Sequence, residues 1–334
     1  MIRTLLLVFT YIVASVPAAF AGVGEGLRDP TKLHLESANA LIIDAENGRS
    51  IYAKAAHDVT PIASLTKLMT AMVVLDSAAP LDQILDVDLA DFDFLKGSRS
   101  RLRMGTSLPR SEMLRLALMS SENRAASTLA RHHPGGVRGF VAAMNAKAAS
   151  LGMAQTRFED ATGLSPHNVS TANDLSRLVR AAANYSLIRE YSTTEAHFVD
   201  VEMTGQMLGF NNSNALVKKA DWDIQLQKTG YIREAGRCVV MLAMIASRPM
   251  VIVLLDSFGK YSRIGDAQRV KYWLETGDSL PMPDVRTRVK NAVKALVVKN
   301  KAAKESASTA TSRGKPIRGT FPPRLVHNVK ARGA

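Results

Sequence analysis

The chain contains a single cysteine, Cys238, among its 334 residues. One cysteine cannot form an intramolecular disulfide, so the folded chain has to be stabilised by its hydrophobic core. Cys238 lies in an apolar run, and Arg237 is the only neighbour in sequence that could favour its thiolate form. We therefore predict a buried structural thiol and do not expect cysteine-based catalysis.

Metal and nucleotide sites also lack support in the sequence. No cluster of His, Cys, Asp and Glu has the spacing of a metal site, so we expect no metal ion. No glycine-rich phosphate loop is present, and we expect no other cofactor. The composition, 46% hydrophobic and 22% charged, is ordinary for a globular protein.

The first 21 residues have the pattern of a signal peptide. Arg3 precedes an apolar stretch at residues 5–16, and residues 19–21 form a small-x-small cleavage site. The apolar stretch is shorter than the about 20 residues that span a bilayer, which favours cleavage over a retained anchor. We therefore expect export, with a mature chain that begins near Gly22.

Most of the net charge of +13 lies in the C-terminal tail. Residues 281–334 contain seven Lys and six Arg but only two acids, Asp284 and Glu305. The remainder of the chain is close to neutral, so the basic balance belongs to the tail. Export and a near-neutral body together argue against nucleic acid as a partner.

The tail, residues 278–334, has two parts. Residues 284–305 are predicted to form an amphipathic helix whose apolar face holds Val285, Val289, Val293 and Leu296, with basic residues around it. Residues 306–334 are rich in Ser, Thr, Gly and Pro and are predicted to be disordered. Two alternatives remain open for the helix: it lies on an anionic membrane or cell wall, or it packs on the body.

The body follows a lead-in at residues 22–37 and extends over residues 38–277. Its periodicity predicts an α/β fold of the α+β type, with an antiparallel sheet and helices. Strands are predicted at residues 40–44, 50–53, 222–229, 237–246 and 250–255. Helices are predicted from Ser64 onward and at residues 111–130, with an interruption near 120–123, and at 140–151, 171–184 and 262–276.

Three short motifs occur in order along the body: Ser64-x-x-Lys67, Ser121-x-Asn123 and 228–230, which reads Lys-Thr-Gly. Each alone is weak, because Ser-x-x-Lys recurs at residues 257–260 and 312–315. Together, in this order, the three motifs define the superfamily of penicillin-binding proteins and serine β-lactamases.

Structural context separates Ser64 from the other two Ser-x-x-Lys serines. Ser64 and Lys67 are three residues apart at the start of a predicted helix, so their side chains share one face. The free N–H groups and the positive dipole end of a helix start favour a developing negative charge. Ser257 ends a strand, and Ser312 lies in the predicted disordered tail. A nucleophile with a nearby base is therefore predicted at Ser64.

Longer stretches resemble the penicillin-binding protein 7 family, the low-molecular-mass D-alanyl-D-alanine endopeptidases of Gram-negative bacteria. The resemblance covers about residues 38–277. The matching stretches are residues 62–73, 118–126, 161–165, 167–171, 228–231, 234–238 and 258–261. It implies a DD-peptidase/β-lactamase-like fold with a mainly helical subdomain beside the sheet. It also implies a periplasmic enzyme that acts on peptidoglycan stem peptides and cross-links and is inhibited covalently by β-lactams.

The resemblance assigns a role to each residue of the first two motifs. Ser64 is the nucleophile that becomes acylated. Lys67 is its base, in the neutral form, and the nearby Lys228 lowers the pKa of Lys67 by like charge. Ser121 relays a proton to the leaving amine. Asn123 holds Lys67 and the substrate peptide.

The third motif is expected to bind the substrate. Lys228 and Thr229 bind its carboxylate, and Gly230 lets the substrate backbone lie against the strand, where a side chain would collide. The backbone N–H groups of Ser64 and Tyr231 form the oxyanion hole, a contribution of about 2.7–4 kcal/mol per donor.

Several alternatives stay open. Ser121 could be a helix N-cap, Asn123 a turn residue, and residues 229–230 a hairpin turn. The carboxypeptidase activity of the same family is an alternative to the endopeptidase activity. Glu122 in Ser-Glu-Asn stands where many carboxypeptidases have Gly, but this difference alone does not decide between the two activities. A serine β-lactamase would need a water-activating element, but Glu159 lacks the Leu-Asn that follows such a glutamate in class A enzymes. A non-catalytic cell-wall binding protein is the last alternative.

Overall fold

The computed structural model describes residues 28–201, 206–259, 261–282, 284, 289–290, 293–294 and 296–301. The predicted signal peptide and the predicted disordered segment at 306–334 lie outside the described residues. The helices are α1 (Thr66–Asp76), α2 (Arg110–Met119), α3 (Asn123–Arg131), α4 (Gly136–Ser150), α5 (Ala172–Ala182), α6 (Ser186–Thr193) and α7 (Ser262–Thr276). The strands are β1 (Ser37–Asp44), β2 (Ser50–Lys54), β3 (Thr60–Pro61), β4 (Ile84–Asp86), β5 (Ser107–Pro109), β6 (Val169–Ser170), β7 (Ala196–Val201), β8 (Gln206–Asn211), β9 (Asp223–Ile232), β10 (Gly236–Ile245) and β11 (Arg248–Ser257).

The main sheet has five antiparallel strands in the order β2-β1-β11-β10-β9. Strand β1 pairs with β11 so that Ile42 lies opposite Ile252. The β1–β2 connection turns at Gly48, whose φ of 73° is a conformation that glycine adopts without strain. The order leaves β9 at an edge of the sheet, and this is the strand that carries residues 228–230.

Both faces of the sheet are buried. Successive side chains of a strand point to opposite faces, and each face packs in a core of its own. Val251, Val253 and Leu255 of β11 join the larger core, which also contains the apolar residues of α1 to α5. Ile252 and Leu254 join a second core on the other face, with α7 and two residues of the lead-in. This explains why the strand sequences read as nearly continuous apolar runs.

The predicted α/β architecture, an antiparallel sheet flanked by helices, is confirmed. The interruption predicted near 120–123 is the break between α2 and α3. Strand β9 is longer than predicted, since it continues past Gly230 to Ile232. The alternative that residues 229–230 form a hairpin turn is therefore wrong.

Helix α6 and the hairpin of β7 and β8 had no counterpart in the sequence prediction. The burial of β7 explains why its pattern was hard to recognise. Val199 and Val201 are buried on one face, but Phe198, which precedes Val199 and lies on the opposite face, is 64% exposed. Apolar residues on both faces of a strand remove the alternation on which a prediction depends.

The ends of the described chain contact the body. In the lead-in, Leu33 and Leu35 are buried in the second core. The indole N–H of Trp273 on α7 donates to the carbonyl oxygen of Asp29 over 3.1 Å. In the tail, residues 296–301 are helical, and Lys299 forms an ion pair with Asp256. None of the helices in the described part of the chain is long and apolar enough to cross a bilayer.

Candidate active site

A cleft of about 1060 Å³ runs along the edge strand β9. Its other walls come from the turn before α1, the segment between α2 and α3, and two loops at residues 94–98 and 159–167. The residues of all three motifs that line it are Ser64, Ser121, Asn123, Thr229 and Gly230. The fold therefore brings together motifs that are far apart in sequence.

Ser64 lies in a short 3₁₀ helix, Ala63–Leu65, that leads directly into α1. The preceding residue, Ala63, has a φ of 49°, a left-handed conformation that is uncommon for a residue with a Cβ. Ser121 is in the same region of φ, at 64°. Backbone strain of this kind is concentrated at functional sites, where the surrounding structure maintains it.

The side-chain amine of Lys67 is fully buried and contacts three oxygen atoms. Its Nζ lies 2.7 Å from Asn123 Oδ1, 2.6 Å from the carbonyl oxygen of Thr162 and 2.9 Å from Ser64 Oγ. The first two oxygens can only accept hydrogen bonds, whereas a serine hydroxyl can also donate. A neutral amine has two N–H groups for the acceptors and one lone pair for the hydroxyl. A charged amine could donate to all three oxygens as well, so the contacts suit both states, and the neutral state is the one that can accept the proton of Ser64.

Burial lowers the pKa of Lys67 to about 7, while the charges of Asp160 and Glu122 act to raise it. The expectation that Lys228 lowers this pKa is corrected: the cause is the loss of solvation in the interior. The like-charge effect acts on Lys228 instead. Its pKa is lowered well below the usual value by burial first, and then by Lys67 and Arg263.

Ser121 and Asn123 lie on either side of Glu122, which is the N-cap of α3. The carboxylate of Glu122 accepts from the backbone N–H of Arg124, so the N-cap role considered for Ser121 belongs to Glu122. Asn123 is the first residue of α3 and not a turn residue. Its amide oxygen accepts from Lys67, and its Nδ2 donates to Ser98 Oγ over 2.9 Å.

The carbonyl oxygen of Thr162 is held in place by a tight turn around Asp160. The carboxylate of Asp160 accepts from the backbone N–H groups of Thr162, Gly163 and Ser165 over 2.5–2.7 Å. Asn168 connects this turn to the start of α1 by donating to Thr66 Oγ1 over 3.0 Å. These contacts fix the acceptor that one N–H of Lys67 needs.

Two glycines allow the backbone to pack closely behind Ser64. A Cβ on Gly163 would lie 2.0 Å from the carbonyl oxygen of Ala63, and one on Gly230 would lie 2.9 Å from that of Ile62. Both distances are too short for any real contact. The predicted need for a glycine at 230 therefore has a second reason, the close approach of β9 to the turn that carries Ser64.

The third motif lies on β9. Lys228 is fully buried, and its Nζ donates to the carbonyl oxygen of Thr229 over 3.1 Å. The hydroxyl of Thr229 donates to Ser213 Oγ over 2.8 Å, and both residues line the cleft. Tyr231 is half exposed beside them.

Four residues near these motifs had not been assigned a role from the sequence: Ser98, Thr162, Ser213 and Arg263. Ser98 and Ser213 lie in loops without a motif of their own. Thr162 contributes a backbone carbonyl, which no side-chain pattern can reveal. Arg263 on α7 lines the cleft, and its Nη1 donates to the carbonyl oxygen of Gly230 over 3.1 Å. Burial, and then Arg237, lowers the pKa of Arg263 to about 10.

The described residues contain no group of three or more His, Cys, Asp and Glu side chains arranged to hold a metal ion. Cys238 is fully buried, as predicted. Its thiol lies 3.5 Å from the carbonyl oxygen of Ala235. Burial raises the pKa of this thiol to about 12, which keeps it protonated at neutral pH.

Relatives of known name match most of the chain. It is 49% identical over 254 residues to a D-alanyl-D-alanine endopeptidase of Pseudomonas aeruginosa, covering 76% of this chain and 82% of the relative. It is 46% identical over 278 residues to a D-alanyl-D-alanine endopeptidase of Escherichia coli, covering 83% of this chain and 87% of the relative.

Solved structures of the same fold include a Streptomyces K15 DD-transpeptidase, with a TM-score of 0.68 and 27% identity over 73% of this chain and 98% of that chain. A penicillin-binding protein D2 from Listeria monocytogenes in its ampicillin-bound form has a TM-score of 0.62 and 27% identity, covering 71% of this chain and 96% of that chain. These neighbours confirm the DD-peptidase-like fold. The sequence model of peptidase family S11, described as D-alanyl-D-alanine carboxypeptidase, matches residues 27–259. The chain therefore belongs to the S11 family of serine DD-peptidases.

Proposed function

We propose that this protein is a DD-endopeptidase that cleaves the D-alanyl–diaminopimelate cross-links of peptidoglycan through an acyl-enzyme on Ser64. The contact between Lys67 Nζ and Ser64 Oγ carries the proposal, because the other two neighbours of the amine leave its lone pair for the hydroxyl. A base of pKa about 7 beside a serine is suited to general-base catalysis at neutral pH.

In the proposed reaction Lys67 takes the hydroxyl proton as Ser64 Oγ attacks the carbonyl carbon of a D-alanine residue. The N–H groups of Ser64 and Tyr231 stabilise the negative oxygen of the tetrahedral intermediate. The C–N bond then breaks, and Ser121 relays the proton to the departing amine. Water hydrolyses the resulting ester in a second step, which restores the Ser64 hydroxyl and releases the D-alanyl carboxylate.

Substrate position is set by the other side of the cleft. Lys228 and Thr229 are proposed to bind the free carboxylate of the leaving residue, and Arg263 reaches the same place from α7. The peptide before the scissile bond would run beside β9 as an added strand, since β9 is a sheet edge. Asn123 would hold both this peptide and Lys67.

The choice of bond rests on the named relatives. Those at 46% and 49% identity are endopeptidases, whereas a Bacillus subtilis carboxypeptidase shares 28% identity. The carboxypeptidase reaction uses the same acyl-enzyme chemistry and remains the alternative.

One comparison of substrates separates the two reactions. Purified protein would be incubated with a cross-linked muropeptide dimer and with a monomeric pentapeptide, and the products weighed by mass spectrometry. We expect the dimer to be split into monomers. Release of terminal D-alanine without splitting of the dimer would contradict the endopeptidase proposal and favour the carboxypeptidase.

Penicillin distinguishes the remaining alternatives. A peptidase of this kind keeps the penicilloyl group on Ser64 for a long time, whereas a β-lactamase releases it rapidly and repeatedly. Glu159 lines the cleft, but its carboxylate contacts Arg157 and Ser165. Absence of any penicilloyl mass on Ser64 would support a non-catalytic binding protein.

The tail helix is proposed to lie on an anionic membrane surface, with the enzyme in the periplasm. Lys299 connects the helix to Asp256 of the body. Val289, Val293 and Leu296 are 55–60% exposed, so these side chains do not pack on the body. Lys290 and Lys294 flank them, and each basic residue near an anionic surface contributes about 1 kcal/mol of attraction.

Replacing Val289, Val293 and Leu296 together with serine is expected to abolish most of the binding to vesicles that contain phosphatidylglycerol, because the apolar contact with the bilayer is lost. Co-sedimentation of the mature chain with vesicles measures this. The control is Val59→Ser with Val137→Ser, since both valines are exposed elsewhere on the body. Equal binding by the triple variant and the control would contradict a membrane contact.

A further inference from the structure

Arg237 is a second guanidinium in the cleft, and the mechanism proposed above does not use it. It lies at the start of β10, opposite Tyr231 of β9 in the strand register. Its guanidinium stacks over the Tyr231 ring, 4.6 Å from the ring centroid. Stacking of this kind fixes the position of the group while its N–H donors stay available to a ligand.

Arg237 and Arg263 lie close together at the same end of the cleft. The positive charge of Arg237 contributes to the lowered pKa of Arg263, as expected for two neighbouring positive charges. Arg263 donates only to the carbonyl oxygens of Gly230 and Cys238, and its Nε is buried without a hydrogen-bond partner among the described residues. Two like charges held near each other repel, and an anion between them removes this cost.

The protein does not supply that anion from the described residues. The acids that line the cleft are Glu159 and Glu234. Glu234 forms an ion pair with Lys96 over 2.5 Å, and Glu159 forms one with Arg157 over 3.1 Å. Neither guanidinium is paired with a carboxylate in the described part of the chain. This end of the cleft is therefore a preformed positive site.

The position of Arg263 identifies which part of the substrate meets this site. Arg263 contacts the carbonyl of Gly230, next to Thr229, where the carboxylate of the leaving residue is proposed to bind. Arg237 is near Arg263, so it also lies on the leaving side of the scissile bond. A leaving D-alanine carries one carboxylate, which the proposed contacts with Thr229 and Arg263 would already accommodate.

We propose that Arg237 binds a second carboxylate on the leaving side, so that the site selects leaving groups with two acidic ends over a single D-alanine. The leaving half of a peptide cross-link is such a group, because its diamino-dicarboxylic residue continues to further free carboxylates. The inference rests on the proposed function and adds a residue that determines specificity. Guanidinium groups are suited to this role by their planar array of donors.

The test uses two synthetic peptides that end in D-alanine linked to D-2-aminopimelate or to its 7-carboxamide. The two leaving groups have the same length and differ by one negative charge. For the wild-type chain, we expect kcat/KM to be on the order of tenfold higher for the dicarboxylate, as for a hydrogen bond between charged groups. Arg237→Gln is expected to reduce this ratio to about 1, and Arg237→Lys to retain part of it.

Arg138→Gln is the matched control, because Arg138 is exposed on α4 and its loss removes the same charge. The control is expected to keep the wild-type ratio. A wild-type ratio near 1, or an unchanged ratio in Arg237→Gln, would overturn the inference. Cleavage of neither peptide, together with no penicilloyl adduct on Ser64, would instead overturn the proposed function and this inference with it.

Discussion

Lys67→Arg is expected to slow the acylation of Ser64 by penicillin by on the order of 10²–10⁴-fold, the usual contribution of a general base. Arginine keeps a positive charge and hydrogen-bond donors, but it cannot lose its proton in this range of pH. The variant therefore tests the neutral amine and not the presence of a cation. Acylation is measured as the mass of the penicilloyl adduct over time.

The wild-type chain is expected to acylate faster as the pH rises, with an apparent pKa of about 7. Below this value Lys67 is protonated and has no lone pair for the Ser64 proton, whereas above it the amine is neutral. Lys67→Arg should lose this rise. A rate that does not change between pH 6 and 9 for the wild-type chain, or a variant as fast as wild type, would contradict Lys67 as the base.

Gly163→Ala is expected to lower both stability and acylation. Gly163 has a φ of 81°, and an added Cβ would lie 2.0 Å from the carbonyl oxygen of Ala63. Left-handed strain and overpacking together give an expected loss of about 2–5 kcal/mol in the free energy of unfolding. Because Ala63 precedes the nucleophile, a displacement of Ser64 should reduce acylation by on the order of 10²-fold.

Gly152→Ala separates the two causes. Gly152 has a similar φ of 68°, but its Cβ would meet only the end of the Arg177 side chain, at 3.4 Å. This control is expected to lose about 1–2 kcal/mol from strain alone and to acylate normally. Urea unfolding and penicillin acylation measure the two effects. The same result for both glycines would mean that the contact between Gly163 and Ala63 is not important for the position of Ser64.

The sequence predicted the parts of the site that depend on local geometry. Ser64 and Lys67 share a face at the start of a helix because of their spacing, and Lys67 Nζ lies 2.9 Å from Ser64 Oγ. The same reasoning located the break before Asn123 and the strand with Lys228. These features depend on backbone periodicity, which is visible in the order of residues.

The remainder depends on loops that meet only in the folded chain. Nothing in the sequence around Thr162 shows that its carbonyl reaches Lys67, because the turn at Asp160 determines where that oxygen points. The cause of the lowered pKa of Lys67 was also misassigned. A neighbouring charge can be guessed from a motif, whereas burial by the whole core cannot.

Strand β9 has a consequence for how the protein behaves at high concentration. Open strand edges allow separate chains to pair with one another, and many proteins block them with charges or a covering segment. The edge of β9 lies instead along a cleft whose walls include Ser64, Asn123 and Leu164. Such a cleft admits one extended peptide but excludes a second folded sheet. The protein can therefore keep a strand edge available for the proposed pairing with its substrate without the self-association that an exposed edge would cause.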